Sequence, residues 1–310
     1  MPADAPMLPR LPINRPTTIN YTVTAETEIG SPNVQSSKAS QMIGYMAPGV
    51  VRKEIAEGNL RGVYFSPQNE GPHPAVMLVT GSGGGANETM GALLASKGFA
   101  TLAIAHFSYE GRPSTLMDVP LEYFRNGMDW VRSTAGAERV ALVGRSRGGE
   151  GVLVIASHWP EKVGAVIANV PSNIAWPGCC GVEEANRPTW TLNGKGIPTA
   201  PYSFEEGKAF HNSTEIRNWR RFFMPAMLAD DKGVIAVEKI EAPILLISGE
   251  ADAIWSSSIA SELVIARLKR NNFPYFYEHI SYSGVGHFAA VPQSITSMTG
   301  RPFLHPITKT

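Results

Sequence analysis

The chain has 310 residues, 43% of them hydrophobic, enough to build one large folded unit around a substantial core. Its 27 basic and 27 acidic side chains cancel, which argues against a general electrostatic affinity for nucleic acid or anionic membranes. No segment reaches the roughly 20 apolar residues of a membrane span, and the proline-rich residues 1–16 hold no apolar run of signal-peptide length, so a cytoplasmic protein is expected.

Residues 1–48 differ in texture from the rest. After the prolines comes a Thr-, Tyr- and Val-rich stretch at 18–27, then a Ser-, Gln- and Asn-rich one at 31–41, which together predict a small β appendage or an extended arm. From Val50 the pattern changes. Short apolar runs at 61–66, 75–80, 99–105, 139–143, 164–170, 243–248 and 274–281 alternate with helix-like segments, as expected of a mostly parallel sheet flanked by helices. Leu121, Phe124, Met128 and Val131 fall on one helical face, and Ile259, Leu263 and Ala266 on another; both faces are expected to pack on the sheet. Residues 172–239 break the alternation, being rich in aromatic residues without a clean strand. An insertion of that length in a doubly wound sheet forms a cap over the carboxyl ends of the strands, or else a structural excursion that covers core. The two cysteines, Cys179 and Cys180, are adjacent and cannot staple distant parts of the fold. Reduced thiols in a loop are expected, with a vicinal disulfide or a redox role as the alternative.

Gly144-Arg145-Ser146-Arg147-Gly148 fits G-x-S-x-G. The pentapeptide alone is weak, but an apolar strand precedes it and a helix-like segment at 149–157 follows, the strand–turn–helix setting of a nucleophile elbow. Glycines on either side of Ser146 suit a turn that strains the serine backbone and brings chain segments close. The turn presents the hydroxyl at a helix N-terminus, where unpaired N–H groups favour a developing anion. A bystander serine in a glycine-rich loop is the competing reading.

A hydroxyl becomes a nucleophile when a neighbouring base takes its proton, so the elbow predicts a carboxylate and then a histidine downstream. The run at 243–248 ends in Gly249-Glu250-Ala251-Asp252, and the run at 274–281 ends in a glycine-rich loop that reaches His287. Asp252 and His287 therefore stand as acid and base beyond the ends of two strands. Glu250, Asp230 and Asp231 are rival acids, and of the seven histidines only His287 follows the acid on such a loop. An oxyanion pocket is expected from the backbone N–H of Arg147 together with that of Gly83 or Ser82, in the glycine-rich loop after the run at 75–80. That loop lacks the Gly-Lys-Ser/Thr ending of a phosphate-binding loop and the dinucleotide fingerprint, so neither nucleotide cofactor nor metal is expected. His106, Arg145 and Trp255 are candidate substrate-binding residues; for His106 and the arginines beside Ser146 a structural role competes.

The sequence resembles the acyl-CoA thioesterase and bile-acid-CoA:amino-acid N-acyltransferase family, a branch of the α/β hydrolases. The resemblance runs from about Pro48 to His287. It is carried by Ala47-Pro-Gly-Val-Val-Arg52 with Gly58-Asn-Leu-Arg-Gly62, by residues 81–85, by Tyr109-Glu110 with Leu121-Glu-Tyr-Phe124, by Ser146-Arg-Gly-Gly-Glu150, and by residues 249–255 and 284–287. It implies an α/β-hydrolase fold, Ser146, Asp252 and His287 as a catalytic triad, and a fatty or otherwise bulky acyl thioester as substrate. With the texture of the chain, this divides it into an arm or reduced β appendage at 1–48 and a hydrolase unit at 49–310, with the cap expected at 172–239. Within the family the N-acyltransferases resemble one another in using cysteine where this chain has Ser146, which tilts the expectation toward hydrolysis.

Two departures bear on substrate. The family's N-terminal immunoglobulin-like sandwich needs on the order of 100 residues, more than the 48 or so that precede the match. Residues 288–310 contain no convincing amphipathic helix, so the family's closing helix is not expected, and a second subunit is a candidate to supply a pocket wall. Three readings follow: an acyl thioesterase; a carboxylic-ester or lactone hydrolase, or an acyltransferase to an amine or hydroxyl; and a binding protein that keeps the fold without the chemistry.

Overall fold

A computed structural model describes residues 19–27, 35–69, 71–179, 182–201, 217–229 and 231–287. Strands β1 (Ile19–Thr27) and β2 (Gln35–Ile43) pair antiparallel in a sheet of their own. The main sheet has eight strands in the order β13-β12-β9-β8-β5-β6-β4-β3. Its members are β3 (Val51–Ile55), β4 (Gly62–Ser66), β5 (Ala75–Val79), β6 (Ala100–Ile104), β8 (Val140–Arg145), β9 (Val163–Asn169), β12 (Ile244–Gly249) and β13 (Tyr277–Tyr282). From β6 to β13 every pairing is parallel, while β3 and β4 close one side antiparallel. Parallel strands buried on both faces read as continuous apolar runs, which explains why β5, β6, β8, β9 and β12 were visible in the sequence; β13, at the sheet edge, is partly exposed along its length. The edge strand β3 was not, because its Arg52, Lys53 and Glu54 face solvent.

Alternation along the strands feeds two core layers. Ala75, Met77 and Val79 of β5 join Leu102, Ile104 and Leu142 under helices α2 (Leu121–Ala135) and α3 (Arg147–His158). Val76 and Leu78 join Ala103 and Ala105 under α1 (Glu88–Ala95). The expected α2 face, Leu121, Phe124, Met128 and Val131, is fully buried, and the helix stops at Gly136, whose left-handed φ of 66° closes its last turn. Helix α3 is buried along 147–156 and forms the central support behind the elbow.

The structure corrects three expectations. In α6 (Ser257–Arg270) the buried stripe is Ala260, Val264 and Leu268. The expected stripe is rotated off the sheet, and Leu263 and Ala266 instead line a cavity of about 200 Å³ shared with Met227 and Leu228. The insertion at 172–239 does contain strands, β10 (Trp190–Leu192) and β11 (Lys195–Gly196), with β10 running parallel to β7 (Val119–Pro120). At two or three residues each they are too short to show a period. The insertion also holds the short helix α4 (Val182–Ala185) and α5 (Arg217–Leu228). Third, Cys179 is disulfide-bonded rather than a reduced thiol. The closing-helix expectation falls on residues outside those described. Among the described residues, no helix is long and apolar enough to cross a membrane.

Candidate functional site

Ser146 stands between β8 and α3 with φ 60° and ψ −123°. A non-glycine residue in such a region costs about 1–3 kcal/mol and persists only where its surroundings enforce it. They do so here: the Ser146 N–H donates to the Asn169 carbonyl at 2.9 Å, and its own carbonyl accepts from the Glu150 N–H at 3.0 Å. Gly148 lies against the end of β5, where a Cβ would stand 2.2 Å from the Val79 carbonyl oxygen, so only glycine lets the elbow sit on the sheet.

The other two side chains arrive on loops beyond β12 and β13. Those loops are joined, the N–H of Glu250 donating to Tyr282 O at 3.1 Å and that of Ala251 to Val285 O at 3.0 Å. A Cβ on Gly249 would stand 2.1 Å from Val285 O, so the close approach depends on glycine. The result is a chain of hydrogen bonds. His287 Nδ1 lies 2.8 Å from Asp252 Oδ2, and Nε2 lies 2.8 Å from Ser146 Oγ. An ionised carboxylate only accepts, so with Asp252 as carboxylate Nδ1 carries the proton and Nε2 is free to receive that of the serine. Asp252 is 1% exposed and His287 7%. Oδ1 of Asp252 accepts from the N–H groups of Ile254 and Trp255, and Oδ2 accepts a second bond, from the Ser257 hydroxyl at 2.6 Å. An imidazole held between a hydroxyl and a buried carboxylate is arranged to draw the proton from that hydroxyl. Glu250 and Asp231 are exposed, and Asp230 lies outside the described residues.

Of the expected oxyanion donors, one directly follows Ser146 in the chain. Arg147 is the first residue of α3, so its N–H belongs to the unpaired first turn of the helix. In the facing loop, Gly84 N donates to Gly81 O, whereas the amides of Ser82 and Gly83 make no backbone hydrogen bond among the described residues. Gly81 of this loop lies against the serine, and a Cβ there would stand 3.2 Å from Ser146 Cβ, whereas one on Gly83 would meet nothing within 4 Å.

The candidate substrate residues fare differently. Trp255 is buried and edge-on to the His287 ring at a centroid separation of 5.6 Å, its Nε1 donating to Val170 O at 3.0 Å. Arg145 ends β8; burial lowers its pKa, opposed by the charge of Asp252. His106 is not at a surface at all. It is 0% exposed among Phe107, Phe124 and Trp190, neither ring nitrogen has a hydrogen-bond partner among the described residues, and burial, with the charge of Arg112, pushes its pKa down to about 3. The Arg147 side chain is likewise closed off from an external phosphate. It pairs at 2.5 Å with Glu150 and donates to the carbonyls of Trp176 and Pro177 and to the Thr189 hydroxyl. Glu150 also accepts from Trp176 N–H and Trp190 Nε1, while burial pushes its pKa up to about 7. This buried pair ties residues 176–190 to the helix that follows Ser146.

Two contacts were not foreseen. Ser257, within Ser256-Ser257-Ser258, reads as one of several helix-start serines, and its bond to Asp252 has no signature of its own. The partners of Arg147 lie as far away in sequence as Thr189.

The family model described as BAAT / Acyl-CoA thioester hydrolase C terminal matches residues 119–299, more than half the chain, and the chain belongs to that family. It is 29% identical to acyl-coenzyme A amino acid N-acyltransferase 2 of Rattus norvegicus over 86% of this chain and 63% of that protein. It is 29% identical to the mitochondrial acyl-coenzyme A thioesterase 2 of Homo sapiens over 84% of this chain and 53% of that protein. The chain thus spans between half and two thirds of the length of these relatives. Among solved structures, the acylaminoacyl peptidase of Pyrococcus horikoshii superposes with a TM-score of 0.51 at 16% identity, over 79% of this chain and 38% of that one. The fold is that of the α/β hydrolases.

Proposed function

We propose that this family member is a serine hydrolase that cleaves acyl thioesters through an acyl-enzyme on Ser146. The observation that carries the reading is the unbroken run of hydrogen bonds from Ser146 Oγ through both nitrogens of His287 to Asp252 Oδ2. His287 takes the serine proton as Oγ attacks the thioester carbonyl, and Asp252 holds the imidazole in its Nδ1–H form. The amides of Arg147 and of Ser82 or Gly83 receive the oxyanion. The thiolate leaves with the proton from His287, and water, activated by the same imidazole, releases the acid. Residues 49–310 form the hydrolase unit, and residues 172–239 its cap.

Thioesters are the favoured substrate class because the relatives' names include both a thioesterase and acyl-coenzyme A acyltransferases. Thiol released from a panel of acyl-CoA esters, with and without an added amine acceptor, tests the reading. Release without amine is expected, with Ser146→Ala lowering it by about three orders of magnitude or more and leaving the fold intact. Undiminished release by Ser146→Ala would overturn the assignment. Amine-dependent release would redirect it to acyl transfer.

A further inference from the structure

Helix α6 begins with Ser256 as N-cap and Ser257 as its first residue. Serines at such positions ordinarily turn their hydroxyls onto the free N–H groups of the first turn. Here neither does so. Ser256 makes no side-chain cap bond, and its hydroxyl accepts from Arg220 Nε of the cap helix α5 at 2.7 Å. The Ser257 hydroxyl, on a residue with no solvent exposure, donates instead to Asp252 Oδ2 at 2.6 Å.

That oxygen is the one His287 uses. The division of the carboxylate is uneven in kind: Oδ1 is held by two main-chain N–H groups of its own loop, whereas Oδ2 is held by two side chains from elsewhere, the imidazole and Ser257. We infer that Ser257 is a positioning residue of the proposed relay, its hydroxyl both fixing and sharing the one carboxylate oxygen to which the imidazole is bound. The inference rests on the reading of Ser146, His287 and Asp252 given above.

Two effects follow from removing the hydroxyl. The carboxylate loses the side-chain donor that holds Oδ2 toward Nδ1, so His287 spends less time aligned with Ser146. The charge that Oδ2 shared between two donors then falls on the imidazole alone and favours its protonated form, which cannot act as base. The charged groups near this point are Arg145 at the end of β8, coupled to Asp252 through space, Arg220 of α5 on Ser256, and Glu250 in the Asp252 loop. Ser257→Ala alters none of them.

The test is the rate at which a fluorophosphonate labels Ser146, followed against pH in the full chain, with steady-state thiol release beside it. Ser257→Ala is expected to lower the labelling rate and kcat by about tenfold or more with KM unchanged, and to move the acid limb of the labelling profile up by about half a pH unit. Ser257→Thr, which returns a hydroxyl, is expected to restore the limb. Should Ala perturb the fold, Ser257→Cys keeps a side chain of similar shape with a weak donor and is expected to move the limb in the same direction. A limb that stays in place in folded, labelled Ala or Cys variants overturns the inference and leaves the proposed function standing. Failure of the wild type to label at Ser146 removes both.

Discussion

Two buried histidines in this molecule carry the same ring in opposite circumstances. His287, on the loop after β13, has a partner at each nitrogen, with Ser146 on one side and Asp252 on the other. His106, just past β6, has none among the described residues and sits in a cage of Phe107, Phe124 and Trp190. Burial alone therefore does not make an imidazole useful. In an apolar cage it suppresses the charged form, whereas the aspartate and serine around His287 give the ring a proton to receive and a charge to receive it against.

The sharpest way to test that contrast is to remove each ring. In the proposed reaction His287→Gln deletes the proton acceptor, and thiol release is expected to fall by about three orders of magnitude or more, as for other triads. His106→Phe, which fills the same aromatic cage, is expected to leave turnover within a few-fold of wild type. If His106→Phe matched the loss in His287→Gln, His106 would have to reach the reacting atoms in some other arrangement, and the contrast would collapse.

A third buried group sharpens the point, since Arg147 and Glu150 are nearly as enclosed as His106 yet paired with each other. Their partners, Trp176, Pro177, Thr189 and Trp190, all lie in the insertion at 172–239, so this pair holds the insertion as well as the helix. Glu150→Leu strands the arginine in a dry site and is expected to cost about 3–5 kcal/mol in urea unfolding. Arg147→Met combined with Glu150→Leu is expected to recover most of that, because no charge remains to be solvated. If the double variant is no more stable than the single, the loss comes from packing rather than from an unpaired charge.

What could be read from the sequence follows the same line. Ser146, Asp252 and His287 were legible because each lies on a loop at the end of an apolar run, and in a parallel sheet those ends share one edge. Leu121, Phe124, Met128 and Val131 were legible because one period of 3.6 serves one surface. The α6 stripe was misread because that helix serves two surfaces: Val264 and Leu268 pack into the main core, while Ala260 is buried with Ile174, Trp176 and Met227, and Leu263 and Ala266 line the neighbouring cavity. The burial of Arg147 and His106 was not legible, since a polar side chain beside a strand end reads alike whether it meets solvent or a partner 42 residues away, as Arg147 does at Thr189.

The smallest expected effect bears on His106 itself and depends on pH. Its pKa is pushed down to about 3 in the folded protein, whereas an unfolded chain binds the proton near about 6.5. Between those values the unfolded state holds more protons than the native one, so stability is full above about pH 6.5 and drains away as pH falls toward 3. At about pH 5 the deficit from this one ring is about 2 kcal/mol, at roughly 1.4 kcal/mol per pH unit below 6.5. His106→Phe removes the titrating group, and with it two buried polar atoms that have no partner among the described residues. Urea unfolding of the variant is therefore expected to show its gain over wild type growing by about 2 kcal/mol between about pH 8 and pH 5. A gain that is the same at both values would mean that the ring is not buried as a neutral group, and the contrast with His287 would then have to rest on geometry alone.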